Sequence, residues 1–158
     1  MSLVVEDGTG LANADSYLSV ADATSYHASF GNDAWAAATS DAQEQALRRA
    51  TQYVDANYSF RGSPLTTTQA LAWPRNLGLA WPIRGLSNAT AELALRALDG
   101  ALFADQSGGE VIEESVGPVG VKYQPSGLGG QTRFAVVDSL LAPYTGGGRM
   151  SMRLERAE

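Results

Sequence analysis

Two long stretches of the chain carry a helical period. Within residues 41–58 the apolar positions Ala46, Leu47, Ala50, Tyr53, Val54 and Tyr58 recur at helical spacing, and Asp41, Gln45, Arg48, Gln52 and Asp55 fall opposite. This predicts a helix with one buried and one wet face. Ser40, with Gln43 three residues on, is its expected capping box, and Glu44 sits one turn before Arg48 in the favoured orientation. The second period covers 88–104, with Ala91, Ala94, Leu95, Leu98, Ala101 and Leu102 as its stripe and Glu92, Arg96 and Asp99 as its polar line. Ser87 or Asn88 is the expected cap. Leu93, Ala97 and Phe103 widen the apolar sector, so more than one neighbour should cover this helix. Gly100 either marks a close helix–helix approach or ends the helix early.

Shorter patterns fill the remainder. Ser19 and Asp22 form a capping box that opens a helix ending near Gly31. Asn32 or Asp33 caps a short alanine-rich turn carrying Trp35, and Thr66–Thr68 cap a turn over Gln69–Ala72. Two β-prone runs, Glu110–Val116 and Val119–Tyr123, flank Gly117-Pro118 and predict a hairpin over 110–124. Gln124–Thr132 reads as a glycine-rich loop. Phe134–Leu141 is a last short helix, stopped by Pro143.

Between the two long helices one phrase occurs twice, Leu71-Ala72-Trp73-Pro74-Arg75 and Leu79-Ala80-Trp81-Pro82-Ile83-Arg84. Each proline lacks a backbone donor and moves the tryptophan before it out of helical geometry, so neither copy lies inside a helix. Two readings stay open. In one, the stretch is a rigid strap clamped across the helix pair by Trp73, Pro74, Arg75, Trp81 and Pro82. In the other, it is a proline-punctuated connector whose tryptophans only fill the core.

The ends differ from the body. Residues 1–18, with the turn signal Asp7-Gly8-Thr9-Gly10, read as an extended arm. Residues 145–158 read as a flexible tail hinged at Gly146-Gly147-Gly148. Beyond the hinge, Arg149 to Glu155 alternates strictly, with Met150, Met152 and Leu154 on one side and Arg149 and Arg153 on the other. An alternating terminal strand needs a partner, and Arg149, Met150, Met152, Arg153 and Leu154 are the candidate contacts with another surface. A frayed end, or a strand folding back on its own hairpin, is the alternative. The fold class that results is mainly α: a small bundle of about four to five helices over 19–144, with an appended β-hairpin and extended N- and C-terminal arms.

Composition narrows function. The chain has 158 residues, the size of one domain, with 11 basic against 17 acidic residues and a net charge of −6. That balance repels phosphate backbones. All basic residues but Lys122 are arginines, which suits flat, bidentate protein–protein contacts. There is no cysteine and no membrane-length apolar run, and the N-terminus lacks a signal-peptide pattern. A single histidine, His27, sits beside Tyr26 and Phe30 and reads as a packing residue. The acidic residues near Gly8 and Gly10 lack EF-hand spacing, Gly127-Leu128-Gly129-Gly130 lacks the lysine of a phosphate loop, and no nucleophile elbow is present. Glu113 and Glu114 are adjacent on a predicted strand and face opposite ways. Neither catalysis, a cofactor nor a metal is expected.

Several pieces together carry a resemblance: Glu6-Asp7-Gly8-Thr9-Gly10-Leu11, Asp15-Ser16-Tyr17, Ala46 to Thr51, Gln69 to Arg75, Ala91-Glu92-Leu93-Ala94 and Val116-Gly117-Pro118. The chain resembles, along nearly its whole length, a group of tailed-phage and prophage proteins often labelled DnaT-like single-stranded-DNA-binding proteins. That group is itself similar to head–tail adaptor (connector) proteins. The resemblance implies a structural virion protein of the neck, made in the bacterial host cytoplasm. Its expected partners are the portal protein, neighbouring copies in a ring of about twelve, and the next neck or tail-completion protein. DNA would pass through the lumen unbound. It brings no catalytic residues. A single-stranded-DNA-binding replication accessory is the second implied reading, and an assembly factor absent from the finished particle is a third.

Overall fold

A computed structural model describes residues 2–103, 113–116, 119–122 and 134–146. Its elements run α1 (Val20–Phe30), α2 (Asp33–Ala37), α3 (Ser40–Asn57), α4 (Arg84–Asp99), β1 (Glu113–Val116), β2 (Val119–Lys122) and α5 (Ala135–Leu141). The fold is mainly helical, as its periodicity predicts. The candidate tail contacts Arg149, Met150, Met152, Arg153 and Leu154 lie outside the described residues, as does the loop 124–132.

α3 and α4 are the central pair. Leu47, Ala50, Tyr53 and Val54 of α3 meet Leu86, Leu93, Ala94 and Ala97 of α4 in one continuous core. The width of the apolar sector on α4 is explained by its second neighbour, α5, whose Val137 and Leu141 are fully buried. Burying side chains of this size stabilises the fold by roughly 1.5–3 kcal/mol each.

Helix ends show where local signals hold and where packing overrides them. Ser19 caps α1, accepting from the Asp22 amide at 3.1 Å and donating to the Asp22 carboxylate at 2.6 Å. Gly31 ends that helix in the left-handed region, φ 69°. The cap of α3, however, is Thr39, whose hydroxyl accepts from Ala42 N. Gln43 does not complete a capping box, because its side chain turns inward and donates to the Trp35 carbonyl at 2.8 Å. The cap of α4 is Ile83, four residues before Ser87 and five before Asn88, the two expected caps, and it makes no side-chain cap bond. The reason lies in the core: Ile83 and Leu86 are buried there, and their burial outweighs the ~1 kcal/mol that a good cap contributes.

Two glycines of α4 have different roles. At Gly85 an added Cβ would lie 2.6 Å from Tyr144 Cε2 and 2.7 Å from the Leu140 carbonyl oxygen, so this glycine is the close approach between α4 and α5. Gly100 is the C-cap, with open space around it, and simply ends the helix. Gly85→Ala should therefore destabilise by about 1–3 kcal/mol through overpacking, despite alanine's better helix propensity. Gly100→Ala should melt like the wild type. Thermal denaturation of the pair checks this, and equal melting temperatures would place the α4–α5 contact elsewhere.

The predicted hairpin is present in its described part. β1 and β2 pair antiparallel with Glu113 opposite Lys122 and Val116 opposite Val119. The N-terminal segment has no helix, yet it is held against the body. Residues 4–6 pair with 15–16, and Ser16, Tyr17 and Leu18 are buried. At the other end, Thr145 bridges Phe60 and Gly146 N donates to the Ser59 carbonyl, carrying the body's backbone pairing past residue 144.

Candidate functional site

The strap is the part of the molecule with the most unusual construction. The predicted turn over Gln69–Ala72 does not form a helix. Instead the Gln69 side chain staples the loop, accepting from Thr66 N and donating to the carbonyls of Leu71 and Pro74. Leu65 N donates to the Pro74 carbonyl and Asn76 N to the Ser63 carbonyl, so 63–65 and 74–76 form a short antiparallel ladder. Arg75 closes it. Its guanidinium donates to the carbonyls of Arg61 (2.7 Å), Gly62 (2.5 Å) and Ala72 (3.0 Å). This arginine is structural, since its donors satisfy carbonyls that the loop leaves unpaired.

The two tryptophans do different work. Trp73 is 1% exposed, edge-on to Phe60 at 5.5 Å and to Tyr144 at 5.9 Å. Its backbone amide donates to the Tyr17 hydroxyl at 3.1 Å, whereas its indole nitrogen finds no partner among the described residues. Trp81 is only half-buried and lies over Gly8 of the N-terminal segment, where an added Cβ would meet its ring at 2.6 Å. Gly8 has φ 94°, so both conformation and space require glycine there. Pro74 is buried and Pro82 exposed, and both tryptophan–proline bonds are cis. The strap thus clamps the N-terminal segment and the end of α5 as much as the helix pair.

Two polar groups that the residue pattern does not single out hold this arrangement together. Asp55, placed by periodicity on the wet face of α3, is half-buried. It accepts from the Tyr17 hydroxyl and from Ala72 N at 3.0 Å, joining α3, the N-terminal segment and the strap. Burial pushes its carboxyl above the usual range, and burial beside that carboxylate raises the Tyr17 hydroxyl as well. Glu6 is buried too. Its carboxylate accepts from the amides of Gly8, Gly10 and Leu11 at 2.9–3.0 Å, so the acidic turn Asp7–Gly10 wraps an anion of its own. The available signal for Asp55 was its position one turn after Thr51, which is itself buried.

His27 is a core residue, as its neighbours suggested. Nε2 lies 3.1 Å from the Ala91 carbonyl, Nδ1 lies 3.1 Å from the Asn32 amide nitrogen, and Trp35 stacks at 4.8 Å. These contacts suit the neutral ring that donates through Nε2, and burial holds its pKa below the ordinary 6.5. The unfolded chain then binds the proton more readily, so His27's contribution to stability is lost as pH falls below about 6.5. Asp55, with a raised value, works in the opposite sense above 3.8. Urea unfolding at pH 7.5 and 5.0 should show a smaller acid loss for His27→Gln than for the wild type. Equal losses in both proteins would show that His27 titrates alike in the folded and unfolded chains.

Most arginines of the described body have protein partners. Arg48 lies 3.6 Å from Asp15 and 3.5 Å from Glu44, and Arg96 bonds Glu92 at 2.8 Å beside the Phe134 ring. Arg49 and Arg61 donate to the carbonyls of Ala97 and Pro143. Glu92 in turn accepts from Tyr26, whose hydroxyl is pushed up to about 12 by burial and by that carboxylate. Among the described residues no group of three or more histidines, cysteines or carboxylates could hold a metal, and no helix is long and apolar enough to cross a membrane. The surface exposes apolar side chains on the strap instead, with Leu65 and Leu79 each 49% exposed.

No curated protein and no solved structure matches the chain significantly. One family model matches, over residues 1–157, under the description "Putative DnaT-like ssDNA binding protein". A match of that extent covers the N-terminal segment, the strap and the helical body together, and the chain belongs to this DnaT-like family.

Proposed function

We propose that the chain is a structural subunit of a tailed-phage neck, a head–tail adaptor that forms a ring of about a dozen copies beneath the portal. It continues the DNA channel from head to tail, is made in the host cytoplasm and ends in the virion. Its role is mechanical, with the portal, its own copies and the next neck protein as partners. The observation that carries this reading is the fate of the groups a DNA binder needs. Trp35 and Trp73 are sealed in the core, and the arginines described above are turned onto carboxylates and carbonyls of a chain with net charge −6. A rigid acidic body lets DNA slide past without gripping it.

The family's description favours a second reading, a single-stranded-DNA-binding replication accessory. Such proteins combine a positive groove with exposed aromatic stacking platforms. Fluorescence anisotropy with a labelled oligonucleotide separates the two. The adaptor should bind more weakly than about 10 µM at physiological salt. A sub-micromolar affinity that falls steeply with salt would establish the second reading. Electron microscopy of the protein mixed with portal rings should then show an added ring of density, and its absence would count against the adaptor.

A further inference from the structure

A cleft of about 440 Å³ lies between the N-terminal segment, α1 and the start of α4. Leu18, Tyr26 and Trp81 give it an apolar and aromatic lining, Asp22 places a carboxylate there, and Ser87 and Arg84 of α4 also line it. Tyr26 and Trp81 are half-buried, so their rings are part of the body without being sealed inside it. Tyr17, whose hydroxyl accepts from the Trp73 amide, also lines it, so the cleft adjoins the strap.

We propose that this cleft is the docking site for residues 149–154 of the same chain. Three observations select that occupant. The first is chemistry: Met150, Met152 and Leu154 occupy alternate positions, and thioethers adapt to uneven, aromatic-lined surfaces. The second is charge. Arg149 and Arg153 give residues 149–154 a charge of +2 in a chain of net −6, and Asp22 offers one of them a carboxylate. The third is where the described chain ends. Tyr144 packs on Gly85 and Gly146 N donates to the Ser59 carbonyl, so the described chain ends two residues after a contact with the first turn of α4, the turn that supplies Arg84 and Ser87 to the cleft. From Gly146 an extended chain reaches about 10 Å to Arg149 and about 27 Å to Leu154. That passes round a helix roughly 10–12 Å across. Tethering at this distance gives the cleft's own tail a millimolar effective concentration, above that of any second copy in dilute solution.

The chain has no cysteine, which makes cross-linking clean. In the full-length protein, Ser87→Cys with Met152→Cys should close to a disulfide within one chain under mild oxidation. It should do so at least tenfold faster than Gln45→Cys with Met152→Cys, because Gln45 is exposed on α3 and does not line the cleft. Asn88→Cys, also on the cleft, replaces Ser87→Cys if that variant melts early. Reversing the charge with Asp22→Arg should slow closure severalfold, and adding Arg153→Asp should restore it. Equal rates for the two pairs, cross-links only between chains, or closure indifferent to Asp22 would each overturn the proposal.

Discussion

Trp73→Ala should lower the free energy of unfolding by about 3–5 kcal/mol, the range for truncating a buried aromatic. The ring is 1% exposed and lies against Phe60, just after α3, and Tyr144, just after α5. Removing it leaves a cavity beside the Phe60 and Tyr144 rings. Trp73→Phe should cost only about 1 kcal/mol. It keeps much of the ring and removes an indole N–H that is buried with no partner among the described residues, a group whose desolvation costs about 1–3 kcal/mol. Chemical denaturation of both variants tests the pair. If Trp73→Ala unfolds like the wild type and only assembly fails, Trp73 belongs to an interface and its place in the core is wrong.

Glu6→Ala should cost about 3 kcal/mol, an effect unusual for a charged residue near a chain end. The carboxylate is 2% exposed and is the common acceptor for the amides of Gly8, Gly10 and Leu11. Hydrogen bonds to a charged acceptor contribute about 1.5–3 kcal/mol each, and loss of the acceptor lets the turn open to water, so the sum is smaller than three full bonds. Gly8 and Gly10 cannot compensate by shifting, because Trp81 and Thr66 lie within 3 Å of where their side chains would begin. Glu6→Gln should fall between, since its amide nitrogen cannot accept and one of the three amides loses its partner. A limited-proteolysis assay beside the melting curve should show cleavage near residues 7–11 in Glu6→Ala first. An unchanged cleavage pattern with an unchanged melting temperature would refute this role for the carboxylate.

Much of the helical body was legible because its signals are local. The stripe on α3, the Ser19 cap with Gly31 at the other end of α1, the stop at Pro143 and the hairpin around Gly117-Pro118 each depend on residues within a turn or two of one another. The same local reasoning failed at the start of α4, at Thr39 and at Gln69. Burial of Ile83 and Leu86 moved the start of α4, the neighbouring Thr39 took the cap of α3, and the Gln69 side chain bonded within its own loop. The strap was legible as non-helical from its two prolines; whether its tryptophans clamp or only fill the core, and which of them is sealed, was not.

What the sequence determines by itself is therefore the class of fold, the order of the elements and the lack of thiols. Those follow from short-range periodicity, from backbone restrictions at proline and glycine, and from composition. Only the tertiary structure decided the parts played by Glu6, Tyr17 and Asp55. Tyr17 and Asp55 are 38 positions apart, and Tyr17 and Trp73 are 56 apart. No periodic pattern links residues at such separations. Asp55 reads as a solvated residue on a wet face until the strap folds over it. Its burial, and the hydrogen bonds that make burial tolerable, exist only once three separate segments have met.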